Sequence, residues 1–571
     1  MGGPNPATFA SAGQISQHCI PGAYSRNNFV SNEGGGVSAG NIGVLGFAET
    51  GEPNKLLVFD SANDARAELT AGEGLEGIIQ AFKPGNGLVP QQVGFIRVNP
   101  GTQSSRTLQL SSSDRYGIKS FSWGVPMNQL RLKFSAGTVV GTRKIETEFK
   151  GNTEITDDIE RKSFSLQYTG AGSAALMTID ATTLATTVTG GPGSEDLAIT
   201  LADYPTISEL VAFIDNHSAY SATILTTTIT QKSIEIDAVT AQDIRTASYT
   251  VKSDYQAVFE ALSAEPLLGT ITKEGIIRNL PDNDGDFVYF AGGTSGAYTT
   301  SEFTDSLEVL EQEDVQLIAT PSTEIAVHVL IKDHCVTMNG VEGKKERQFY
   351  VGGAVNETVD QVKTRNSTLN SEFGSNCSPG YYQFNDDGVE TLFAASYYGC
   401  QQVGMISALA LNTPTTHKTA NIIRWEKDYK RSEINDLIKN GTLVGAKDDD
   451  GQFITIRSLT TFQSGLLQKN EASIMRETLF QAADLRKRME KALVGTPNLG
   501  NDQIATATSI FERAIKDWAG MGIIVANGGQ LYSGLVITIN GDIINFEYNT
   551  WNTAPTNFVF ITHNISVLTT V

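Results

Sequence analysis

Residues 287–322, FVYFAGGTSGAYTTSEFTDSLEVLEQEDVQLIATPS, constrain the fold more than any other stretch of the chain. An apolar run enters the turn Gly292-Gly293-Thr294-Ser295-Gly296. Phe303, Leu307 and Leu310 then recur at helical spacing, and residues 315–319 form a second apolar run. Strand, helix, strand reads as a βαβ unit, which calls for a parallel sheet with helices packed against it. The glycines have the composition of a phosphate cradle. No Lys-Ser/Thr pair follows them, however, and their spacing fits neither G-x-G-x-x-G nor the P-loop, so the reading is a structural turn.

At 571 residues the chain has room for three or four domains, each with its own core. Hydrophobic residues at 40% and charged residues at 18% place it among ordinary globular chains rather than disordered ones. The 42 basic and 63 acidic residues leave a net charge of −21, which repels phosphates at long range and argues against nucleic acid as a partner. Cys19, Cys335, Cys377 and Cys400 are far apart and form no C-x-x-C pair, so unpaired, mostly buried thiols in a reducing compartment are expected. The start MGGPNP has neither a basic nor an apolar signal region, and no run of about 20 apolar residues occurs. Synthesis in a bacterial cytoplasm, without membrane insertion, follows as the expectation.

The expected fold class is mixed α/β, α+β in overall content and multidomain, with an α/β core built from both ends of the chain, β-rich insertions in the middle and extended terminal arms. Residues 1–38, rich in Gly, Ser and Asn and closed by Gly34-Gly35-Gly36, read as an arm. Residues 39–102 return to α/β alternation, with Ser61 as N-cap of a helix over 62–70, a second helix over 75–82 and a strand over 93–98. Thr, Ser and β-branched residues dominate 103–284, and Gly190-Gly191-Pro192-Gly193 divides this stretch into insertions at 103–190 and 191–284, the second with a helix near 207–217. Core alternation resumes over 285–420. A C-terminal domain covers 421–556, with helices over 471–493 and 501–521 and a hairpin joined by Asn540-Gly541-Asp542, since Asn-Gly takes up positive φ cheaply. The first of those helices is expected to bury Met475, Leu479, Ala482, Leu485 and Met489. Residues 557–571 form a second arm strand.

Catalytic and metal signals are weak. His328 and His334 are six residues apart, on different faces of a helix, and the other histidines are scattered. In Asp282-Asn283-Asp284-Gly285-Asp286 the glycine and the required acidic residue fall at the wrong positions for an EF-hand, which leaves an exposed turn; Asp448-Asp449-Asp450-Gly451 reads likewise. No nucleophile elbow, H-E-x-x-H helix or usable Cys/His pair occurs, so neither enzymatic activity nor a cofactor or metal is expected.

Four stretches together resemble the tail sheath proteins of contractile bacteriophages and related injection machines. They are the turn, helix and strand of 292–319; the strand and turn Gly43-Val44-Leu45-Gly46-Phe47-Ala48-Glu49-Thr50-Gly51-Glu52-Pro53; the helix of 432–441, acidic loop of 448–451 and strand of 453–461 ending in Thr460-Thr461; and the C-terminal order of long charged helix, second helix and strands. The resemblance covers about 1–100 and 285–571. It implies a structural subunit of the virion tail that polymerises with copies of itself as stacked rings or a helix. The sheath would surround a tail tube protein, meet baseplate and tail terminator proteins, and contract to drive the tube through the bacterial envelope for genome ejection. A phage-derived injection device (pyocin or secretion type) shares this reading, and the Thr-rich middle alone would also suit a secreted β-rich adhesin or carbohydrate-binding protein.

The resemblance also implies site residues. Ile20, Tyr24, Phe29 and Val30 in the first arm and Phe558, Phe560, Ile565 and Val567 in the last are candidates for adding strands to a neighbour's sheet edge. Arg476, Arg486, Lys487, Arg488 and Lys491, on a helix of the inner domain, are candidates for facing an acidic tube. The same cluster also reads as a solvated helix face supported by Asp484 and Glu490.

Overall fold

The segments IGVLG, VGFIR, LIA and QFYVG show no polar alternation, the pattern of strands covered on both faces. The computed structural model, which describes residues 7–11, 14–18, 40–192, 195–225, 231–275, 277–385, 388–497, 500–560 and 562, has them at the centre of an eight-stranded sheet. Its order is Phe453–Arg457, Thr442–Lys447, Gly374–Ser378, Gln348–Gly352, Leu317–Ala319, Ile42–Gly46, Val93–Arg97 and Leu56–Phe59. The six inner strands run parallel, and the strand at each edge is antiparallel to its neighbour. Successive residues feed two separate cores. Val44, Phe95, Ala319 and Tyr350 pack with helices Glu73–Phe82 and Ala395–Ala408, whereas Leu45, Ile96, Ile318 and Phe349 pack with helices Thr300–Gln312, Ile325–Met338 and Val359–Leu369. Helices Glu73–Phe82 and Ala395–Ala408 meet closely at Gly404, where a Cβ would lie 1.9 Å from the Ala81 carbonyl oxygen.

Two strand-rich modules interrupt this core, one inside the other. The host module joins strands Gln103–Leu110, Ser113–Trp123 and Leu268–Lys273 in one sheet and Arg131–Ala136, Arg143–Phe149, Asn152–Ile159 and Val288–Tyr289 in another, with helix Asp254–Ala264. The guest module lies between Lys162 and Lys252. Its sheets are Lys162–Tyr168, Tyr220–Ile224 and Tyr249–Lys252, and Ala174–Ile179, Thr183–Thr189, Ala198–Thr200 and Val239–Asp243, with helix Ile207–Asp215.

This nesting corrects the expected division at 190/191. Gly190-Gly191-Pro192 leads out of Thr183–Thr189, a strand that pairs antiparallel with Ala198–Thr200 inside the guest, so the glycines turn a chain within one sheet instead of separating two. The βαβ reading of 287–322 is corrected as well. Val288–Tyr289 pairs with Arg131 and Leu132 of the host, and the chain enters the core sheet only after the glycine turn. Residues 431–457 belong to the core sheet and its flanking helix, not to the C-terminal unit as the 421–556 boundary supposed.

The C-terminal unit comprises helix Ala472–Leu493, helix Asn501–Gly520 and the hairpin Tyr532–Asn540 with Ile543–Thr550, packed round Phe511, Trp518 and Ile523. Helix Ala472–Leu493 buries Met475 and Leu485 as expected, but Ala482 is exposed, and Glu477, Gln481 and Asp484 turn inward. Trp518 sets that rotation, its indole N–H donating to Asp484 Oδ2 at 2.8 Å. Near the N-terminus, Ala7–Ser11 pairs antiparallel with Gln14–His18, a short hairpin within the stretch expected as an extended arm.

Candidate assembly interface

The glycine turn of 292–296 is a clamp between core and host. The buried Arg97 guanidinium donates to Gly51 O at 2.7 Å and to Ser295 O at 2.9 Å. Asn128 closes a reciprocal pair with Gly293, and Ser295 Oγ donates to Glu49 at 2.6 Å. Gly296 has φ +67°, and a Cβ there would fall 1.7 Å from Pro100 O. A phosphate cradle needs unspent N–H groups, yet Gly293 N and Thr294 N are already bonded to Asn128 and Thr102. The Asp282–Asp286 loop is likewise structural. Asp284 takes Arg106 at 2.6 Å and Phe134 N at 2.7 Å, and Asp282 takes Ser111 N. His328 bonds Ser322 O and His334 bonds Arg347; burial holds their pKa values down to about 4 and about 3, so both rings stay neutral. Cys335, Cys377 and Cys400 are buried.

Of the candidate basic residues, three are committed within the subunit. Arg476 is buried, with a guanidinium contact to Ala410 O, and burial lowers its pKa to about 10. Arg486 makes a two-pronged contact with Glu346, with Nη2 at 2.8 Å, and also donates to Lys344 O. Arg488 bridges Asp484 at 3.0 Å and Asp517 at 2.7 Å. Only Lys487 and Lys491 are exposed. The pairs of Arg486 with Glu346 and of Arg488 with Asp517 reach across 140 and 29 residues, beyond helical spacing, whereas Arg488 and Asp484 are an i,i+4 pair on the helix itself.

Beside Arg476, Glu477 has no solvent exposure and, among the described residues, no hydrogen-bond partner on either carboxylate oxygen. Burial pushes its pKa up to about 8 against the opposing charge of Arg476. No motif flagged this residue. Its position two turns before Asp484 on the inward face was the available signal.

The C-terminal hairpin is half covered. Tyr532, Leu535, Phe546 and Tyr548 pack towards Phe511, whose ring lies 4.7 Å from that of Tyr548 and 4.9 Å from that of Tyr532. Among the described residues, neither strand pairs with any strand but the other, so both outer edges keep unpaired main-chain groups. On the far face Val536 and Ile543 are 51% and 53% exposed. The chain then passes Asn557, which donates to the buried Glu471 at 2.8 Å, an acid also held by Arg457 at 2.6 Å. Phe558, Val559 and Phe560 follow at 67%, 75% and 92% exposure, with the two phenyl rings stacked at 6.3 Å and Arg457 5.6 Å from the Phe558 ring. Ile20, Tyr24, Phe29, Val30, Ile565 and Val567 lie outside the described residues.

Residues 296–461 match the family model of the phage tail sheath protein central domain. The tail sheath protein of Bacillus phage SP01 is 24% identical over 538 residues, 91% of this chain and 90% of that protein. The tail sheath protein of Staphylococcus phage Twort is 22% identical, over 86% and 88% of the two chains. In fold, the chain is similar to the crystal structure of a sheath tail protein from Desulfitobacterium hafniense, with TM-score 0.54 at 15% identity over 93% of this chain and 96% of that one.

Proposed function

We infer that this chain, which belongs to the phage tail sheath family, is a structural subunit that polymerises into a contractile sheath. In the virion it would surround a tail tube, meet baseplate and terminator proteins at its ends, and contract to drive the tube through the bacterial envelope for genome ejection. The observation that carries the reading is the C-terminal hairpin, whose outer edges pair with no further strand among the described residues and which is followed, at Phe558–Phe560, by a strongly exposed apolar segment. A strand from a neighbouring copy added to such an edge satisfies main-chain hydrogen bonds and covers apolar surface, and it links subunits without fixing their relative tilt. Energy for contraction would reside in subunit contacts exchanged between two packings, a bistable arrangement that propagates because neighbours cannot rearrange alone.

Within this reading, Lys487 and Lys491 are the candidates for an acidic tube wall because they are the exposed members of the cluster. The test is negative-stain microscopy of the purified full chain. Striated hollow cylinders are the expected result, and a protein that stays monomeric at every concentration and ionic strength tried would overturn the proposal.

A further inference from the structure

The guest module meets its host through two crossing strands and a group of polar contacts. The apolar cluster of the guest, which includes Phe164, Met177, Leu184, Leu210 and Ile214, shares no residue with that of the host, built on Tyr116, Leu132, Phe134 and Val258. Each body therefore has its own source of stability, and the boundary between them is not an apolar core. Interfaces of that kind allow relative motion unless something pins them.

Two side chains do the pinning, from opposite sides. Asp237 belongs to the guest, and its carboxylate accepts from Asp254 N at 2.8 Å and Tyr255 N at 3.0 Å. Those are first-turn amides of the host helix Asp254–Ala264, whose own N-cap, Ser253, makes no side-chain cap bond. Ser253 Oγ instead contacts Ser163 Oγ at 2.7 Å across the two crossing strands. First-turn amides have no acceptor inside their helix, so the guest supplies what the host helix lacks. In the other direction, Arg278 of the host donates to three guest carbonyls: Ile236 O at 2.6 Å, Asp180 O at 3.0 Å and Ala181 O at 3.1 Å. Its own carbonyl accepts from Ala238 N at 3.0 Å. Residues 236, 237 and 238 are thus gripped in sequence, the first two accepting and the third donating.

We propose that residues 162–252 form a swivelling head whose orientation is locked by this reciprocal Asp237 and Arg278 latch, and which turns about the crossings near 160–163 and 252–254 when the latch opens. The crossings have the bonds of a hinge: Arg161 N donates to Asp254 at 2.7 Å, Ser253 N to Arg161 O at 2.8 Å, and Lys252 pairs with Glu160 at 2.7 Å. A change of tilt can keep these bonds, which are at the crossings themselves. It must break those of Arg278, whose acceptors at residues 180, 181 and 236 lie away from both crossings, and with them it draws the adjoining Asp237 off the Asp254 and Tyr255 amides beside the second crossing. Such a joint lets an outlying module keep its fold while its neighbours change around it. The inference concerns the single subunit and stands apart from the assembly reading.

Hydrogen exchange of the full chain tests it, comparing wild type with Asp237→Asn and Arg278→Gln. Arg278 touches neither the Asp254 nor the Tyr255 amide, so faster exchange there in Arg278→Gln reports the latch opening as a unit. The expected result is a rise of about tenfold or more at residues 254–256 in both variants, with strand Lys162–Tyr168 and helix Ile207–Asp215 keeping wild-type protection. A rise confined to Asp237→Asn would reduce the contact to a local helix cap and overturn the proposal. So would unchanged exchange in both variants, or loss of protection throughout the guest.

Discussion

In the central sheet Phe95 and Ile96 are adjacent and neither is exposed at all, because helices lie on both faces and their strand is paired on both sides. In the C-terminal hairpin Val536 and Ile543 stand half exposed, helix Asn501–Gly520 covers one face, and among the described residues neither strand pairs with a third. An isolated two-stranded sheet is marginal in water, so the hairpin depends on Phe511 from within and gains from anything added at its edge. The contrast separates two uses of apolar residues: the core spends them on the subunit, and the C-terminal unit leaves some for a partner.

Substitution in the two sheets should show this most strongly. Phe95→Ala opens a cavity in a fully covered core and should cost about 3–5 kcal/mol, read from the midpoint of denaturant unfolding. Val536→Ser should stay within about 0.5 kcal/mol of wild type in the same measurement, because its side chain meets solvent in the isolated subunit. A large loss from Val536→Ser would mean that the hairpin face is already covered.

A middle-sized effect is expected where the two regions meet, at Glu477. Its pKa is near 8 in the folded chain and about 4.5 when free. The folded state therefore holds the proton more tightly, and stability is lost as pH rises from the lower value through the upper. Between pH 6 and 8 the loss should be roughly 2 kcal/mol, seen as a fall in Tm that Glu477→Gln abolishes. If both proteins show the same pH profile, Glu477 is solvated and the seam between core and C-terminal unit is wetter than its geometry implies.

The smallest effect on the subunit is expected from Lys487→Glu with Lys491→Glu, two exposed positions where unfolding should shift by less than about 0.5 kcal/mol. Any consequence would appear only with a tube present, as weaker extended assembly that worsens in the wild type as salt rises. Normal extended assembly by the double variant would leave this helix face a solvated surface.

The parts of this architecture that were legible in the sequence are governed by neighbours along the chain. The apolar run at Val93–Arg97, the Ser61 cap, which accepts from Asp64 N, and the Asn540-Gly541 turn all reflect local chemistry. What was not legible depends on distant residues. Nothing near Gly190 says that its flanking strands pair with each other, nor does anything near Val288 reveal Leu132 as its partner. The distant partners within the basic cluster were hidden for the same reason: Glu346 pairs with Arg486 from 140 positions away, and Trp518 bonds Asp484 from the next helix. The C-terminal edge was legible as a hairpin, but its openness became apparent only once the rest of the strands had been paired.

The most direct test of the difference between the finished and the unfinished sheet is to remove residues 558–571 and image the product beside the full chain under identical assembly conditions. The account predicts long striated tubes from the full chain, and from the truncated chain a folded monomer with unchanged unfolding midpoint that builds none. Tubes of normal length from the truncated chain would contradict it.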